Sequence, residues 1–144
     1  MTVTAATAFR ADIPFLKDLG VEFVAADAGR ATIALQLQAR HLNSWNVAHG
    51  GVIMTLLDVA MAVAGWSLDP SADGGVTVEM KTSFVQPAFA GSRLTASGHA
   101  FHRSSTMAFC EGEVRDETGR LIARSMGTFK QVRQRPVAPP ADEH

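Results

Sequence analysis

The chain has 144 residues, of which 47% are hydrophobic and 19% are charged. This length and composition fit one folded domain with its own core and exclude a largely disordered chain. The formal net charge is −1, and the 13 basic residues are scattered along the sequence, which argues against a nucleic-acid-binding protein.

Cysteine usage and the N-terminal residues indicate the compartment. The single cysteine, Cys110, cannot form an internal disulfide, and residues 1–10 contain no basic segment followed by an apolar run. We therefore expect a cytoplasmic protein. Residues 50–68 approach the length of a membrane span. Because Asp58 lies at the centre of this stretch and no Lys or Arg flanks it, we expect a buried helix and no membrane association.

The hydrophobic period predicts two kinds of element in the first half of the chain. A short helix is expected over residues 13–19, ended by Gly20. Two alternating segments, 21–24 and 30–38, predict a β-hairpin. After a polar loop, residues 52–66 predict a helix of about four turns that is apolar nearly all round.

The second half of the chain alternates as strands do. Four strands are predicted, over residues 76–86, 93–102, 106–115 and 121–132. A helix that is apolar on every side must be covered on every side, and a strongly curved antiparallel sheet can do this. The prediction is an α+β fold in which five or six strands surround one long central helix.

The domain is expected to occupy residues 13–132. Residues 1–12 predict a flexible N-terminus, and residues 133–144, which contain three prolines, predict a disordered tail. Met54, Met80 and Phe84 are predicted to belong to the core, although Met and Phe near the helix could also line a ligand pocket.

Asp58 is the one charged residue within the apolar stretch 50–68. Burying a carboxylate costs several kcal/mol unless it is paired or hydrogen-bonded. Two interpretations stay open. Asp58 is a functional acid, or it is a structural residue that bonds a nearby backbone group, helped by Thr55 one turn earlier.

The segment His49-Gly50-Gly51 immediately precedes the long helix. Glycines let a ligand approach the backbone, and free N–H groups at a helix N-terminus favour developing negative charge. The Gly50 N–H is therefore a candidate oxyanion donor. The alternative is a plain loop-to-helix turn, in which His49 orients the backbone instead of acting as a base.

The spacing of Gly50 and Asp58 has a geometric consequence. Eight residues along one helix separate them by roughly 12 Å, so one carbonyl group cannot contact both within a chain. If both act on one substrate, they come from different subunits of a symmetric dimer whose long helices run antiparallel.

Residues 41–58, HLNSWNVAHGGVIMTLLD, resemble the signature of the hotdog-fold acyl-CoA thioesterases of the phenylacetate-degradation (PaaI) type. In that family an Asn lies six residues before the His of His-Gly-Gly, and an acidic residue lies nine after it. Asn43, His49 and Asp58 have these spacings. The resemblance extends over nearly all of residues 13–132 and implies the hotdog fold.

The resemblance also implies roles for individual residues. Asp58 would be the catalytic carboxylate, either as nucleophile or as the base that activates water. The Gly50 N–H would polarise the thioester carbonyl, and His49 and Asn43 would help to position groups around it. Thr77 falls where relatives carry a Ser or Thr near the reacting centre.

For coenzyme A, the resemblance points to Arg103, Ser104 and Ser105, between two predicted strands. Basic and hydroxyl groups suit the phosphates of the nucleotide. The alternative for this segment is an ordinary polar turn on the surface.

These observations together predict an acyl-CoA thioesterase that acts on an aromatic or medium-chain acyl group. We expect a homodimer, with a tetramer made of two dimers as a further possibility. No cofactor is expected beyond the coenzyme A of the substrate, and the histidines have no partners at metal-ligand spacing. Two alternatives stay open: a non-catalytic acyl-CoA sensor module, and a hotdog-fold enoyl-CoA hydratase.

Overall fold

The computed structural model of the chain describes residues 13–133 and 137–141. The predicted flexible segment 1–12 lies outside the described residues, as do residues 134–136 and 142–144 of the predicted tail. Residues 137–141 have no regular secondary structure.

The described residues form two α-helices, a short 3-10 helix and six strands. The helices are α1 (Pro14–Leu19) and α2 (Gly50–Ser67), and the 3-10 helix is Ala39–His41. The strands are β1 (Glu22–Asp27), β2 (Arg30–Gln36), β3 (Gly74–Phe84), β4 (Arg93–Arg103), β5 (Met107–Arg115) and β6 (Leu121–Val132). Most element ends agree with the predicted ones to within two residues.

All six strands form one antiparallel sheet in the order β1-β2-β4-β5-β6-β3. The hairpin β1–β2 is confirmed, and β1 and β3 are the two edges of the sheet. The inner face of the sheet packs around α2, which contacts all six strands. The predicted α+β hotdog fold, with one long central helix, is confirmed.

Small residues on the sheet let α2 pack closely against it. A Cβ atom added to Gly98 of β4 would lie 2.3 Å from the carbonyl oxygen of Ala60 in α2, so this position accepts only glycine without a shift. The core between helix and sheet includes Leu57 and Met61 of α2 and Phe129 of β6, all fully buried.

The expectation that α2 is covered on every side is wrong for the single chain. Met54 is 38% exposed, Gly51 is exposed, and Asp58 is half-buried instead of enclosed. The reason is that β3 is an edge strand, and no further strand follows it to cover this face of α2. Of the described helices, α2 has the length and composition of a membrane span, and 56% of it is buried inside the protein.

Candidate active site

Asp58 and Thr77 are in direct contact. Thr77 lies on the inner face of β3, opposite Phe129 of β6, and its Oγ1 donates a hydrogen bond of 2.5 Å to Oδ1 of Asp58. The Thr77 hydroxyl therefore orients the carboxylate. Thr55 gives Asp58 no help of the kind considered for a structural role, because its hydroxyl donates to the carbonyl of Gly51, at 2.8 Å.

Asp58 lies in the wall of an apolar cavity of about 380 Å³. The other residues that line the cavity come from α1, α2 and β3: Ile13, Phe15, Leu16, Met54, Thr55, Val59 and Met80. The sequence had pointed to Met54 and Met80 as core or pocket residues, and both contribute to this cavity. The cavity is open to solvent on one side, where Ile13, Phe15 and Met54 are 39%, 60% and 38% exposed.

The first turn of α2 leaves one backbone donor free. His49 caps the helix: its Nδ1 accepts a hydrogen bond of 2.9 Å from the Gly51 N–H, and its carbonyl accepts from the N–H groups of Val52 and Ile53. Among the described residues, no acceptor contacts the Gly50 N–H. The Gly50 N–H is therefore available to a ligand at the positive end of the helix dipole.

The helix cap bears on the two roles considered for His49, a general base or a residue that orients the backbone. The Nδ1 of His49 is occupied as an acceptor from the Gly51 N–H, so the ring orients the backbone of the turn that precedes α2. His49 is exposed, and its Nε2 has no partner among the described residues. The contact supports a positioning role for the ring more directly than a role as a base.

Asn43 holds the loop that precedes α2. Its Oδ1 accepts from the N–H groups of Trp45 and Val47, at 2.9 and 3.3 Å, and its backbone closes the same turn. Asn46 adopts a positive φ of 60° in this turn, a conformation that asparagine tolerates well. Asn43 thus shapes the loop, and its side chain also lies in the wall of the cavity beside Gly50.

Gly50 opens into a second cavity, of about 360 Å³. Its lining comes from the loop before α2, the start of α2, and the segment after β3: Asn43, Val47, Ala48, Gly50, Ile53, Phe84, Val85, Gln86, Pro87, Ala88 and Ile122. Phe84 does not belong to the core, because its side chain is 54% exposed; it lines this cavity, which is the second role considered for it. A Cβ atom added to Gly50 would lie 3.5 Å from the Phe84 ring.

The Asp58 cavity and the Gly50 cavity have no lining residue in common. One chain therefore presents the carboxylate and the backbone donor in separate places, in agreement with their separation of roughly 12 Å along α2. The structure brings Asp58 and Thr77 together in one place, and Asn43, His49 and Gly50 together in another.

The three residues expected to contact coenzyme A lie at the opposite end of α2 from Gly50. Arg103 Nη2 forms an ion pair of 3.0 Å with Asp69 Oδ2, just beyond the end of the helix, and Arg133 binds the same oxygen at 2.5 Å. Ser104 Oγ accepts from the Met107 N–H within the β4–β5 turn. Ser105 is exposed, and its side chain makes no hydrogen bond among the described residues.

The Asp69 cluster carries an excess of one positive charge when its two arginines are counted against one carboxylate. A hydrogen bond from Ser71 and the two guanidinium groups lower the pKa of Asp69 below its usual value. Sequence reasoning missed Asp69 and Arg133, because they lie 64 positions apart and only the fold brings them together.

Cys110 is excluded as a nucleophile by its surroundings. Its side chain is buried, its thiol contacts the Met61 carbonyl, and burial raises its pKa to about 12. A thiol with this pKa is almost entirely protonated at neutral pH. Within residues 13–133 and 137–141, no group of three or more His, Cys, Asp or Glu side chains is arranged to hold a metal ion.

The sequence and fold are similar to those of known thioesterases. Residues 46–123, more than half of the chain, match the model of the thioesterase superfamily. The chain is 33% identical to a putative esterase of Deinococcus radiodurans, over 88% of this chain and 85% of the relative. It is 29% identical to acyl-coenzyme A thioesterase PaaI of Escherichia coli, over 81% of each chain.

The fold comparison agrees with the sequence comparison. The solved structure of the Escherichia coli PaaI protein superposes with a TM-score of 0.80, covers 90% of this chain and 96% of that one, and is 24% identical. At that identity the superposition supports the fold alone, whereas the sequence matches carry the family. The chain belongs to the thioesterase superfamily and is a thioester hydrolase of the PaaI type with the hotdog fold.

Proposed function

We propose that this acyl-CoA thioesterase hydrolyses aromatic or medium-chain acyl-CoA to the free acid and coenzyme A, with Asp58 as its catalytic carboxylate. The observation that carries the proposal is the position of Asp58: it is hydrogen-bonded to Thr77 in the wall of an apolar cavity. The cavity suits an apolar acyl chain, and in this proposal the thioester carbonyl carbon lies beside the Asp58 carboxylate. The name of the Escherichia coli relative, acyl-coenzyme A thioesterase PaaI, supports coenzyme A as the thiol.

The chemistry requires a base or nucleophile and a group that stabilises negative charge. In the general-base route, Asp58 takes a proton from water while the water oxygen attacks the thioester carbon. The carbonyl oxygen gains the electron pair and accepts a hydrogen bond from the Gly50 N–H. The carbonyl then re-forms, the C–S bond breaks, and the leaving thiolate takes the proton from Asp58.

In the nucleophilic route, an Asp58 oxygen attacks the same carbon and expels the thiolate, which takes a proton from solvent. The mixed anhydride that results is hydrolysed by water to the free acid and the Asp58 carboxylate. The Gly50 N–H stabilises the oxyanion in both routes.

We propose that the working site combines Asp58 and Thr77 of one subunit with Asn43, His49 and Gly50 of a second copy. The separate cavities around Gly50 and Asp58 support this arrangement. The outer edge of β3 also supports it, since this eleven-residue strand is exposed over most of its length and includes Val76 and Val78, 49% and 57% exposed. A long, largely exposed edge strand of this kind offers unpaired backbone groups to another strand.

Arg103, Ser104 and Ser105 are proposed to contact the nucleotide of coenzyme A. The surplus positive charge at Asp69, shared by Arg103 and Arg133, supports binding of a phosphate there. We further propose that the enzyme is cytoplasmic, needs no cofactor besides the coenzyme A of its substrate, and can pair its dimers into tetramers.

The proposal is tested by measuring release of free thiol from short, medium-chain and aromatic acyl-CoA thioesters. Turnover of aromatic or medium-chain substrates is expected. Saturable binding without thiol release would instead indicate a sensor module, and hydration of an enoyl-CoA without thiol release would indicate a hydratase. Either result would overturn the proposal.

The shared site is tested by mixing two inactive variants. A mixed dimer of an Asp58→Asn chain and a Gly50→Pro chain contains one site in which both groups are intact. We expect activity to return when the two variants are unfolded and refolded together, but not when each is refolded alone. If the mixture stays inactive although mixed dimers are detected by native mass spectrometry, the two groups do not act on one substrate.

A further inference from the structure

Helix α1 forms one wall of the Asp58 cavity. The cavity is lined, opposite the face of α2 that carries Asp58, by Phe15 and Leu16 of α1 and by Ile13, which immediately precedes the helix. Leu16 is buried, whereas Phe15 is 60% exposed. Ile13 and Met54, 39% and 38% exposed, line the same cavity, so Phe15 is part of an exposed apolar surface beside Asp58, and such surfaces mark binding sites.

A six-residue helix has no stability of its own, so its position depends on outside contacts. The Nε2 of buried His41 donates to the Leu19 carbonyl at 2.7 Å, while its Nδ1 accepts from the Gln38 N–H at 2.9 Å. The guanidinium of Arg40 binds the carbonyls of Asp18 and Leu19. These contacts hold the C-terminal carbonyls of α1 in place, so the wall that carries Phe15 is fixed relative to Asp58.

The side chains that line the Asp58 cavity favour an apolar acyl chain over a polar one. Apart from Asp58, Thr55 is the one polar side chain that lines it, and its hydroxyl proton is used by the Gly51 carbonyl. The walls therefore offer no hydrogen-bond partner to replace the water that a polar group on the acyl chain gives up where it contacts them. A carboxylate on the acyl chain would also be repelled by Asp58.

The size of the cavity sets a second limit. A cavity of 150 Å³ lined by aliphatic and aromatic groups can hold benzene. At about 380 Å³, the Asp58 cavity accommodates an aromatic ring with linking carbons, or an alkyl chain of medium length. Phe15 on α1 and Met54, one helical turn before Asp58 on α2, both line this space.

We infer that α1 is the acyl-selectivity element of the enzyme: it admits acyl groups that are apolar along their whole length, and Phe15 sets how far they extend. This inference rests on the proposed function, because it assigns the Asp58 cavity to the acyl group. It goes further by naming Phe15 as the residue that limits the length of the acyl chain, and by naming acyl groups that carry a polar or charged group as the class that is rejected.

The test compares kcat/KM for hexanoyl-CoA, decanoyl-CoA and adipyl-CoA, which is the six-carbon chain with a terminal carboxylate. In the wild type, hexanoyl-CoA is expected to exceed adipyl-CoA by at least about tenfold, because the pocket offers the carboxylate no partner. In Phe15→Ala, the decanoyl-to-hexanoyl ratio is expected to rise about tenfold, since each methylene in an apolar pocket has a large effect on selectivity.

The matched control is Phe101→Ala, which removes a phenylalanine that is 48% exposed on β4 and lines a different cavity. This variant is expected to keep the wild-type ratio. A decanoyl-to-hexanoyl ratio that is unchanged in Phe15→Ala, or adipyl-CoA hydrolysed as well as hexanoyl-CoA, would overturn the inference while the proposed function stands. If the wild type hydrolyses none of these three substrates and no aromatic acyl-CoA either, the proposed function fails, and the inference fails with it.

Discussion

The hydroxyl of Thr77 on β3 donates to the carboxylate of Asp58 on α2, although nineteen positions separate the two residues in the chain. This bond links the edge strand to the central helix on the one face of α2 that the sheet leaves open. It orients one carboxylate oxygen and leaves the other without a partner among the described residues, available to water or to a thioester carbon.

Removing the Thr77 hydroxyl is expected to impair turnover. Hydrogen bonds to charged groups contribute about 1.5–3 kcal/mol, so Thr77→Val should lower kcat/KM by roughly 10–100-fold, since each 1.4 kcal/mol is a factor of ten. Thr77→Ser keeps the donor and serves as the control, with activity near the wild-type value. Equal activity in Val and Ser variants, measured by thiol release, would mean that this bond has no part in catalysis.

Asp58→Asn is expected to lower kcat by about 10²–10⁴-fold, the usual contribution of a general acid or base. The amide has nearly the same volume as the carboxylate and the residue is half-buried, so the thermal unfolding midpoint should stay close to that of the wild type. Steady-state thiol release and a thermal melt check the two halves of this prediction. Near wild-type turnover in the folded variant would remove Asp58 from the mechanism.

The role of the Gly50 N–H can be isolated because Gly50 is the first residue of α2. Proline is favoured at this position, and the extended conformation of His49 before it, with ψ of 134°, suits a following proline. Gly50→Pro should therefore keep the helix but remove the oxyanion donor, lowering kcat by about 10²–10³-fold.

Gly50→Ala is the matched control for that variant. It retains the N–H, and its Cβ atom would make an ordinary contact of 3.5 Å with the Phe84 ring. We expect Gly50→Ala to lose much less activity than Gly50→Pro. Similar losses in the two variants would point to crowding against Phe84 instead of a missing hydrogen bond.

The close packing of α2 on the sheet predicts that replacement by alanine lowers the free energy of unfolding far more at Gly98 than at Gly74. In Gly98→Ala, the new Cβ atom would lie 2.3 Å from the Ala60 carbonyl oxygen, so the helix must shift. We expect the free energy of unfolding to fall by about 1–3 kcal/mol or more. Gly74→Ala, where no atom lies within 4 Å, should change it by less than about 0.5 kcal/mol. Chemical denaturation of both variants measures the difference.

The Asp69 cluster predicts a pH dependence of stability. The pKa of Asp69 is lowered in the folded protein by Ser71 and by the guanidinium groups of Arg133 and Arg103. A lowered pKa stabilises the folded state above the ordinary value of 3.8, and this stabilisation is lost as the pH falls below that value. Asp69→Asn should therefore be less stable than the wild type at pH 7, by about 1 kcal/mol for two partly exposed ion pairs.

The difference between the wild type and Asp69→Asn should shrink in urea titrations performed below pH 3.8. High salt should reduce it as well, because both arginines are partly exposed. A difference that stays constant from pH 7 to below pH 3.8 would show that the charge of Asp69 is not what stabilises the cluster.

Local pattern was enough to predict the elements and the candidate residues. Strand alternation and the apolar run around Asp58 depend on neighbours two to four positions away, so β6 and most of α2 were predicted nearly to their ends. The spacing of Asn43, His49 and Asp58 also lies within one segment. Helical rise alone then separated Gly50 from Asp58 by roughly 12 Å.

Only the tertiary structure decided what each side chain contacts. Three contacts join segments that lie far apart in the sequence: the hydrogen bond from Thr77 to Asp58, the position of Phe15 in the cavity beside Asp58, and the hydrogen bond from His41 to the Leu19 carbonyl. No local period encodes such pairs. The open face of α2 is likewise a consequence of β3 lying at the sheet edge. The sequence by itself determined which residues are candidates for the chemistry, whereas packing decided which cavity each of them faces, because burial and contact depend on the whole sheet.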